Sequence, residues 1–398
     1  MHRNYKKMET IGKLRAHREG VGVRAINSSV MKQSNRKMVL GWIHRRPISR
    51  AELSDRTQLT RASITQIVDE LMAEGLVTET ESIGRNKLGR RQTQLAIVRD
   101  ALYLAGVNLS RVGYDLGIIN LAGEVLWQVS GAIRDREVCT VLDEIAAQLK
   151  RAVQELEIPS ERFYGVGVST PGPLNRNSDT ILNPPNFEAW HNVPVVQMLQ
   201  ARTGWNVRLA NVSNAHALEE LYFGIGREGV QNFILLRVDE GVGAGIVLGG
   251  RLFSGPKGQC PEIGHVSIDR SGPLCACGRR GCWEQYISFP AVLRGTPFTS
   301  WPQVMDSLGK NPAADALFQR VAADLAFELI NIVNVFGLDK IILSGHFVYG
   351  GKRLADAVSR SMRDKCLWEL GEVPVLPGRK IEKPRIAAMA AYHSLFSD

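Results

Sequence analysis

Three cysteines fall within eight positions, at Cys275, Cys277 and Cys282, and a histidine precedes them at His265. The two segments read Glu262-Ile263-Gly264-His265 and Cys275-Ala276-Cys277-Gly278-Arg279-Arg280-Gly281-Cys282-Trp283-Glu284. Three thiolates and one imidazole make a closed tetrahedral set suited to zinc. The glycines let so short a loop turn back so that the sulfurs converge. Full ligation by protein leaves no open position, so the metal is expected to be structural, pinning the loop that carries Glu262 and Glu284. Thiols this close together point to metal rather than disulfides. The alternative is a group of reduced core cysteines beside an incidental histidine. The isolated Cys139, Cys260 and Cys366 are expected as small buried apolar residues.

Length and charge set the wider frame. A chain of 398 residues predicts two or three compact units. No apolar run approaches the roughly 20 residues that span a bilayer. The first residues are dotted with Lys, Arg and His and lack an apolar signal core, so a cytoplasmic protein without a membrane anchor is expected. The net charge of +9 is unevenly placed: residues 1–100 carry 20 Lys/Arg against 10 Asp/Glu, and the remainder 29 against 30. A basic module on a near-neutral body is the electrostatic footprint of nucleic-acid binding. Charge alone also fits a solvated basic face or a membrane-surface patch.

Local patterning decides between these. After a basic extension over 1–31, a helix is predicted over 30–45 and ends at Pro47. Ser49 caps a short helix over 50–56, Gln58-Leu59-Thr60 makes a tight connection, and Thr60 caps a third helix over 61–73. That helix carries Ile64, Ile67, Val68 and Leu71 on one stripe, and Gly75 closes it. Strands over 76–80 and 92–98 flank a basic, Gly-rich turn that includes Gly89-Arg90-Arg91. Three helices and a basic hairpin over 32–98 make a winged helix-turn-helix. Its second helix of the pair would enter the major groove of double-stranded DNA, presenting Arg61, Ser63, Thr65 and Gln66 to bases and phosphates. Arg90 and Arg91 would reach a minor groove from the wing. The competing reading is a small helical domain that binds another protein.

From residue 99 onward strands and helices alternate, which predicts an α/β body of two lobes. The helix ending in residues 329–336 is expected to face its own core rather than a subunit interface. Over this stretch the sequence resembles the ROK (repressor, open reading frame, kinase) family, whose Glu-x-Gly-His and Cys-x-Cys-Gly-x-x-Gly-Cys-x-Glu motifs it carries intact. With its winged helix, the whole chain is similar to that family's transcriptional regulators of the xylose-repressor and N-acetylglucosamine-repressor kind. The resemblance implies an actin-like ATPase fold with a sugar or sugar derivative in the cleft between lobes. It places sugar contacts at Asn186, Asn211, Glu262, His265 and Glu284, though Ala189 replaces the glycine that the family carries after Asn186. His265 therefore has both a metal and a sugar role. The alternative is that these groups only hold the metal loop.

The kinase machinery of the family is not matched. Its Asp-x-Gly-Gly-Thr phosphate loop reads Asn108-Leu109-Ser110-Arg111-Val112, and its catalytic aspartate aligns with Val212, which cannot accept a proton. The second phosphate loop reads Asp239-Glu240-Gly241, where acids would repel phosphate, and His346 and Phe347 crowd the nucleotide side. No catalytic residue is assigned. The sequence thus predicts a sugar-sensing repressor binding a DNA palindrome as a homo-oligomer, with an ATP-dependent sugar kinase and a regulator sensing a partner protein as rivals. Arg61→Ala is expected to weaken operator binding by roughly 1–3 kcal/mol. Unchanged affinity in a gel-shift titration would remove Arg61 from the reading helix.

Overall fold

Two side-chain caps shape the N-terminal head. In the computed structural model, which describes residues 28–80, 93–133, 136–175, 179–184, 187–255, 261–363, 365–367 and 373–397, α1 (Ser28–Arg45) is followed by α2 (Arg50–Thr57) and α3 (Arg61–Ala73). Ser49 Oγ accepts from Glu52 N at 3.2 Å to open α2, and Thr60 Oγ1 accepts from Ser63 N at 3.2 Å to open α3. Each cap satisfies a backbone donor that the helix itself leaves unpaired. Gln58 takes the left-handed conformation between them, which turns α3 across α2. Ile64, Ile67, Val68 and Leu71 are buried, as the stripe requires. β1 (Val77–Thr80) pairs antiparallel with β2 (Gln94–Ile97), and the wing residues Arg90 and Arg91 between them lie outside the described residues. The first helix starts at Ser28, within the stretch that patterning assigned to the basic extension.

The body repeats one plan twice. β3 (Tyr103–Leu109), β4 (Gly113–Asn120) and β5 (Val125–Ala132) are antiparallel neighbours, and α4 (Val138–Glu155) leads to β6 (Phe163–Thr170). A small hairpin of β7 (Leu174–Asn175) and β8 (Thr180–Ile181), then α5 (Val195–Thr203), precedes β9 (Val207–Asn211). The sheet order is β5-β4-β3-β6-β9, with β3, β6 and β9 parallel. After α6 (Val212–Phe223), the second sheet is built from β10 (Phe233–Val238), β11 (Val242–Leu248) and β12 (Arg251–Leu252). Short helices α7 (Glu284–Ile287), α8 (Phe289–Leu293) and α9 (Trp301–Asp306) and the long α10 (Pro312–Phe336) then cover it. α12 (Lys383–Tyr392) returns to the first sheet, while β13 (Lys340–Gly345), α11 (Gly351–Met362) and β14 (Val375–Pro377) complete the second lobe. Its order, β12-β11-β10-β13-β14, is the first sheet's pattern again.

Missing side chains seat the two helices that join the lobes. A methyl carbon on Gly106 of β3 would lie 1.8 Å from Pro384 O, and one on Gly167 of β6 would lie 2.3 Å from Ala387 O. These glycines let α12 press its backbone onto the first sheet. Gly245 of β11 does the same for α6, since a methyl there would lie 2.5 Å from Ser213 O and 2.4 Å from Ala217 Cβ. The two helices also pack on each other.

The head is not a separate core. Val39, Leu40, Ile43 and Leu71 of the head share one buried cluster with Leu104, Leu218, Phe233 and Tyr392 of the body. His44, at the end of α1, is buried in it; burial first, then Arg227 and Arg45, hold its pKa at about 3 and the ring neutral. On α10, Leu329, Ile332 and Val333 are buried, and Val335 is 74% exposed. Cys139 is exposed and Cys366 half-buried, which corrects the expectation of buried positions; Cys260 lies outside the described residues. Cys139 stands on the outer face of α4, whose inner face is filled by Val141, Leu142 and Ile145.

Gly106→Ala is expected to destabilise the protein by about 3 kcal/mol, because the added carbon meets backbone rather than a yielding side chain. The check is the urea midpoint, and a midpoint equal to wild type would show that α12 can give way.

Candidate metal centre, cleft and nucleic-acid interface

The loop after Glu262 folds into a four-donor cage. Ile268 N donates to Gly281 O at 2.8 Å, Cys275 N to Arg279 O at 2.8 Å and Gly281 N to Pro273 O at 2.8 Å. Gly278 and Gly281 adopt positive φ, and a methyl on Gly281 would lie 1.6 Å from Asp269 O, so the turn is open only to glycine. One ligand atom each from His265, Cys275, Cys277 and Cys282 lies within 4.8 Å of the others. Cys277 Sγ and Cys282 Sγ are 3.5 Å apart, and His265 Nδ1 is 3.6 Å from Cys275 Sγ. A tetrahedron with Zn–S near 2.3 Å and Zn–N near 2.05 Å has edges of about 3.8 Å and 3.6 Å, so these separations suit a metal and are far from a disulfide.

The electrostatics agree. Burial raises Cys282 to about 12, and the neighbouring thiols Cys277 and Cys275 add to it. Burial also acts upward on Cys277, but the Arg279 backbone amide and the two thiols outweigh it and lower this thiol. One thiolate is favoured and the next opposed, a conflict that a cation among them would relieve.

Polar groups gather beside this loop, where the family resemblance places a cleft. A methyl carbon on Gly172, beyond β6, would lie 2.9 Å from Asn211 Nδ2 and 3.5 Å from Glu262 Oε1, so an amide and a carboxyl converge on that point. Asn211 ends β9 and caps α6: its Oδ1 accepts from Ser213 N at 2.8 Å, which leaves its NH2 facing the cleft. A methyl on Gly241 would lie 2.9 Å from Glu284 Oε2, and Val242 N donates to that oxygen at 3.0 Å. Burial raises Glu262 above the usual carboxylate range, opposed by His265 and reinforced by Glu284. The geometry therefore brings Asn211 beside Glu262, and His265 and Glu284 near enough to Glu262 for their charges to act on it; Asn186 lies outside the described residues. Gly172 and Ser213, which shape the cleft wall without offering a conspicuous motif, escape sequence reading.

Where phosphate chemistry would sit, the chain binds itself. Asn108 is buried, donates to Asp115 Oδ2 at 3.1 Å and accepts from Ser169 Oγ at 3.1 Å. Val212 opens α6. Asp239, expected from sequence to stand as a free repelling charge, pairs with Arg237 at 2.6 Å and lies 3.6 Å from His346. The His346 ring stacks on Phe289 with centroids 4.0 Å apart.

On the head, Arg61, Thr65 and Gln66 are exposed on α3. Arg61 has no ion-pair partner among the described residues. Thr65 Oγ1 donates to Arg61 O at 2.9 Å, and Gln66 Nε2 to Glu70 Oε1 at 3.2 Å. Ser63 is half-buried, with its hydroxyl 2.9 Å from Thr60 Oγ1 on the exposed side of the helix start. Acids on the second half of α3 are paired, Glu70 with Lys32 and Glu74 with Arg36, so they do not leave a bare negative face.

Comparison with known proteins agrees with both parts. The sequence profile of the ROK family matches residues 106–384, and that of the MarR family matches residues 33–85. The xylose repressor of Caldicellulosiruptor bescii is 29% identical over 352 residues, covering 82% of this chain and 86% of that protein. A solved ROK family transcriptional regulator, described as a homologue of the E. coli MLC protein, superposes with a TM-score of 0.77 at 26% identity. It covers 92% of this chain and 97% of that one. The ROK hexokinase of Thermus thermophilus gives 0.63 at 26% identity, over 74% of this chain and 99% of its own. The fold is thus an N-terminal winged helix-turn-helix on an actin-like body. No helix among the described residues is long and apolar enough to cross a membrane.

Cys275→Ser and Cys282→Ser are each expected to purify with far less than the roughly one metal ion per chain that a closed four-ligand site holds. Elemental analysis of gently prepared protein checks this. A wild type that itself carries almost none would end the metal assignment.

Proposed function

The chain belongs to the ROK family, and from that premise we propose that it is a DNA-binding transcriptional repressor whose body senses a sugar without phosphorylating it. The observation that carries the reading is a reader helix packed through a shared core onto a body with Val212 where a general base would stand. Arg61, Thr65 and Gln66 contact the operator, Ser63 orders the start of their helix, and Arg90 and Arg91 serve the wing. Two heads on a dimer hold the two halves of a palindrome. Such a protein acts in the cytoplasm, where the chromosome is.

In the cleft, the Asn211 amide donates to a sugar oxygen, and Glu262 and Glu284 accept from hydroxyls, with Asn186 as a further contact. Zinc is the metal that the three thiolates and one imidazole suit best, held by His265, Cys275, Cys277 and Cys282. It supplies fixed geometry rather than reactivity. His265 serves both sites because its two ring nitrogens are distinct: Nδ1 faces Cys275, which leaves Nε2 for the sugar.

Catalysis is disfavoured by the same residues. Phosphoryl transfer needs a base on the sugar hydroxyl and an open phosphate cradle. Valine supplies no base, and Arg237, Asp239, His346 and Phe289 satisfy one another in the cradle's place.

A thermal-shift screen with pentoses, hexoses and N-acetylated hexosamines tests the sensor. A cognate sugar at about 1,000 times its dissociation constant stabilises by roughly 4 kcal/mol. No shift with any sugar, beside intact DNA binding, would turn the reading toward a partner protein as the input. ATP consumption at an ordinary enzymatic rate with any of these sugars would replace the regulator with a kinase.

A further inference from the structure

One side chain of the head touches both lobes. The ring of His44 lies 5.8 Å from Tyr222 and 5.2 Å from Phe223, at the end of α6. It lies 5.6 Å from Tyr392, at the end of α12, and 5.0 Å from Phe396 just beyond. The glycines of the sheets decide what these walls belong to. α6 is seated on β11 of the second sheet through Gly245, and α12 on β3 and β6 of the first through Gly106 and Gly167. Contacts that close resist sliding, so α6 is held chiefly to the second sheet and α12 to the first, although α6 continues from β9 and packs on α12 as well. His44 is therefore a wedge whose two faces are held by two bodies. A buried ion pair, Glu219 of α6 with Arg385 of α12 at 2.7 Å, ties the helices at the same seam.

The wedge is held without being fully matched. Tyr392 Oη donates to Leu121 O at 2.7 Å and so accepts from His44 Nε2 at 2.7 Å. Arg227 donates to the His44 carbonyl at 3.2 Å. His44 Nδ1 is buried with no hydrogen-bond partner. An orphaned nitrogen makes the docked arrangement shallower than an apolar plug would, which is what a contact that must re-seat requires. The far end of α6 is the cleft, where Asn211 caps the helix, about 18 Å away for 12 residues. On the head side, α1 carries α3 through the shared core and the Lys32–Glu70 and Arg36–Glu74 pairs.

We propose that His44 is the positioning residue that converts the angle between the lobes into the pose of the DNA-reading helix. Closing of the cleft moves α6 against α12, changes the width of the aromatic cage and re-seats α1, and α3 moves with it. The consequence for DNA rests on the regulator reading; the mechanical coupling does not.

Coupling is reciprocal, so removing the wedge must be felt at the cleft. The test compares amide hydrogen exchange in the full-length wild type and His44→Leu, with no ligand added. Tyr392→Phe, which removes the hydroxyl that bonds His44, replaces it if the leucine variant does not fold. Exchange at residues 170–175 and 262–266 should rise by about fivefold or more, the low end of coupling between sites. A change confined to residues 39–48 and 218–223 means that His44 merely fastens the head, and overturns the proposal. The same proteins are titrated with genomic fragments that the wild type retains. A wild type that retains none ends the regulator reading, while the exchange result still judges the wedge.

Discussion

Two helices, α6 and α12, press their backbone directly onto the two sheets, and much of the architecture is arranged around those contacts. At Gly106 and Gly167 the first sheet receives α12, and at Gly245 the second receives α6. The absence of three side chains seats each helix closely on its sheet. Everything of interest lies along that seam: the cleft at one end of α6, the Glu219–Arg385 pair midway, and the docked head at the other end.

The proposed loss of kinase chemistry rests on how this chain's own residues pair. The positions that would hold phosphate have turned inward. Asn108 bonds across its own sheet, and Asp239 neutralises Arg237 instead of facing a substrate. The cleft groups remain turned outward, because the glycines at 172 and 241 keep space in front of Asn211, Glu262 and Glu284. The metal loop stands behind two of them and takes its shape from positive-φ glycines and three sulfurs.

Local signals were legible in the sequence to the residue where the chemistry is local. Ser49 and Thr60 announced their helices because caps are made by neighbours, and both caps form as expected. The convergence of His265, Cys275, Cys277 and Cys282 was legible for the same reason, since spacing within one loop nearly fixes geometry. What stayed hidden depends on parts far apart in the chain. α5, α11 and α12 gave no expectation; α12 in particular is Ala-rich and buried on most sides, so it shows no amphipathic stripe. Cys139 read as buried although it stands outside the packed face of α4. The place of His44 could not be read at all, because its cage is assembled from residues some 180 and 350 positions away.

Asn211 has one further consequence. Its carbonyl already accepts from Ser213 N in opening a helix, so the group it turns toward the point it shares with Glu262 is the donating NH2. On the proposed reading, a guest that accepts from the Asn211 amide and gives a hydroxyl hydrogen to a carboxylate would be oriented by that pair.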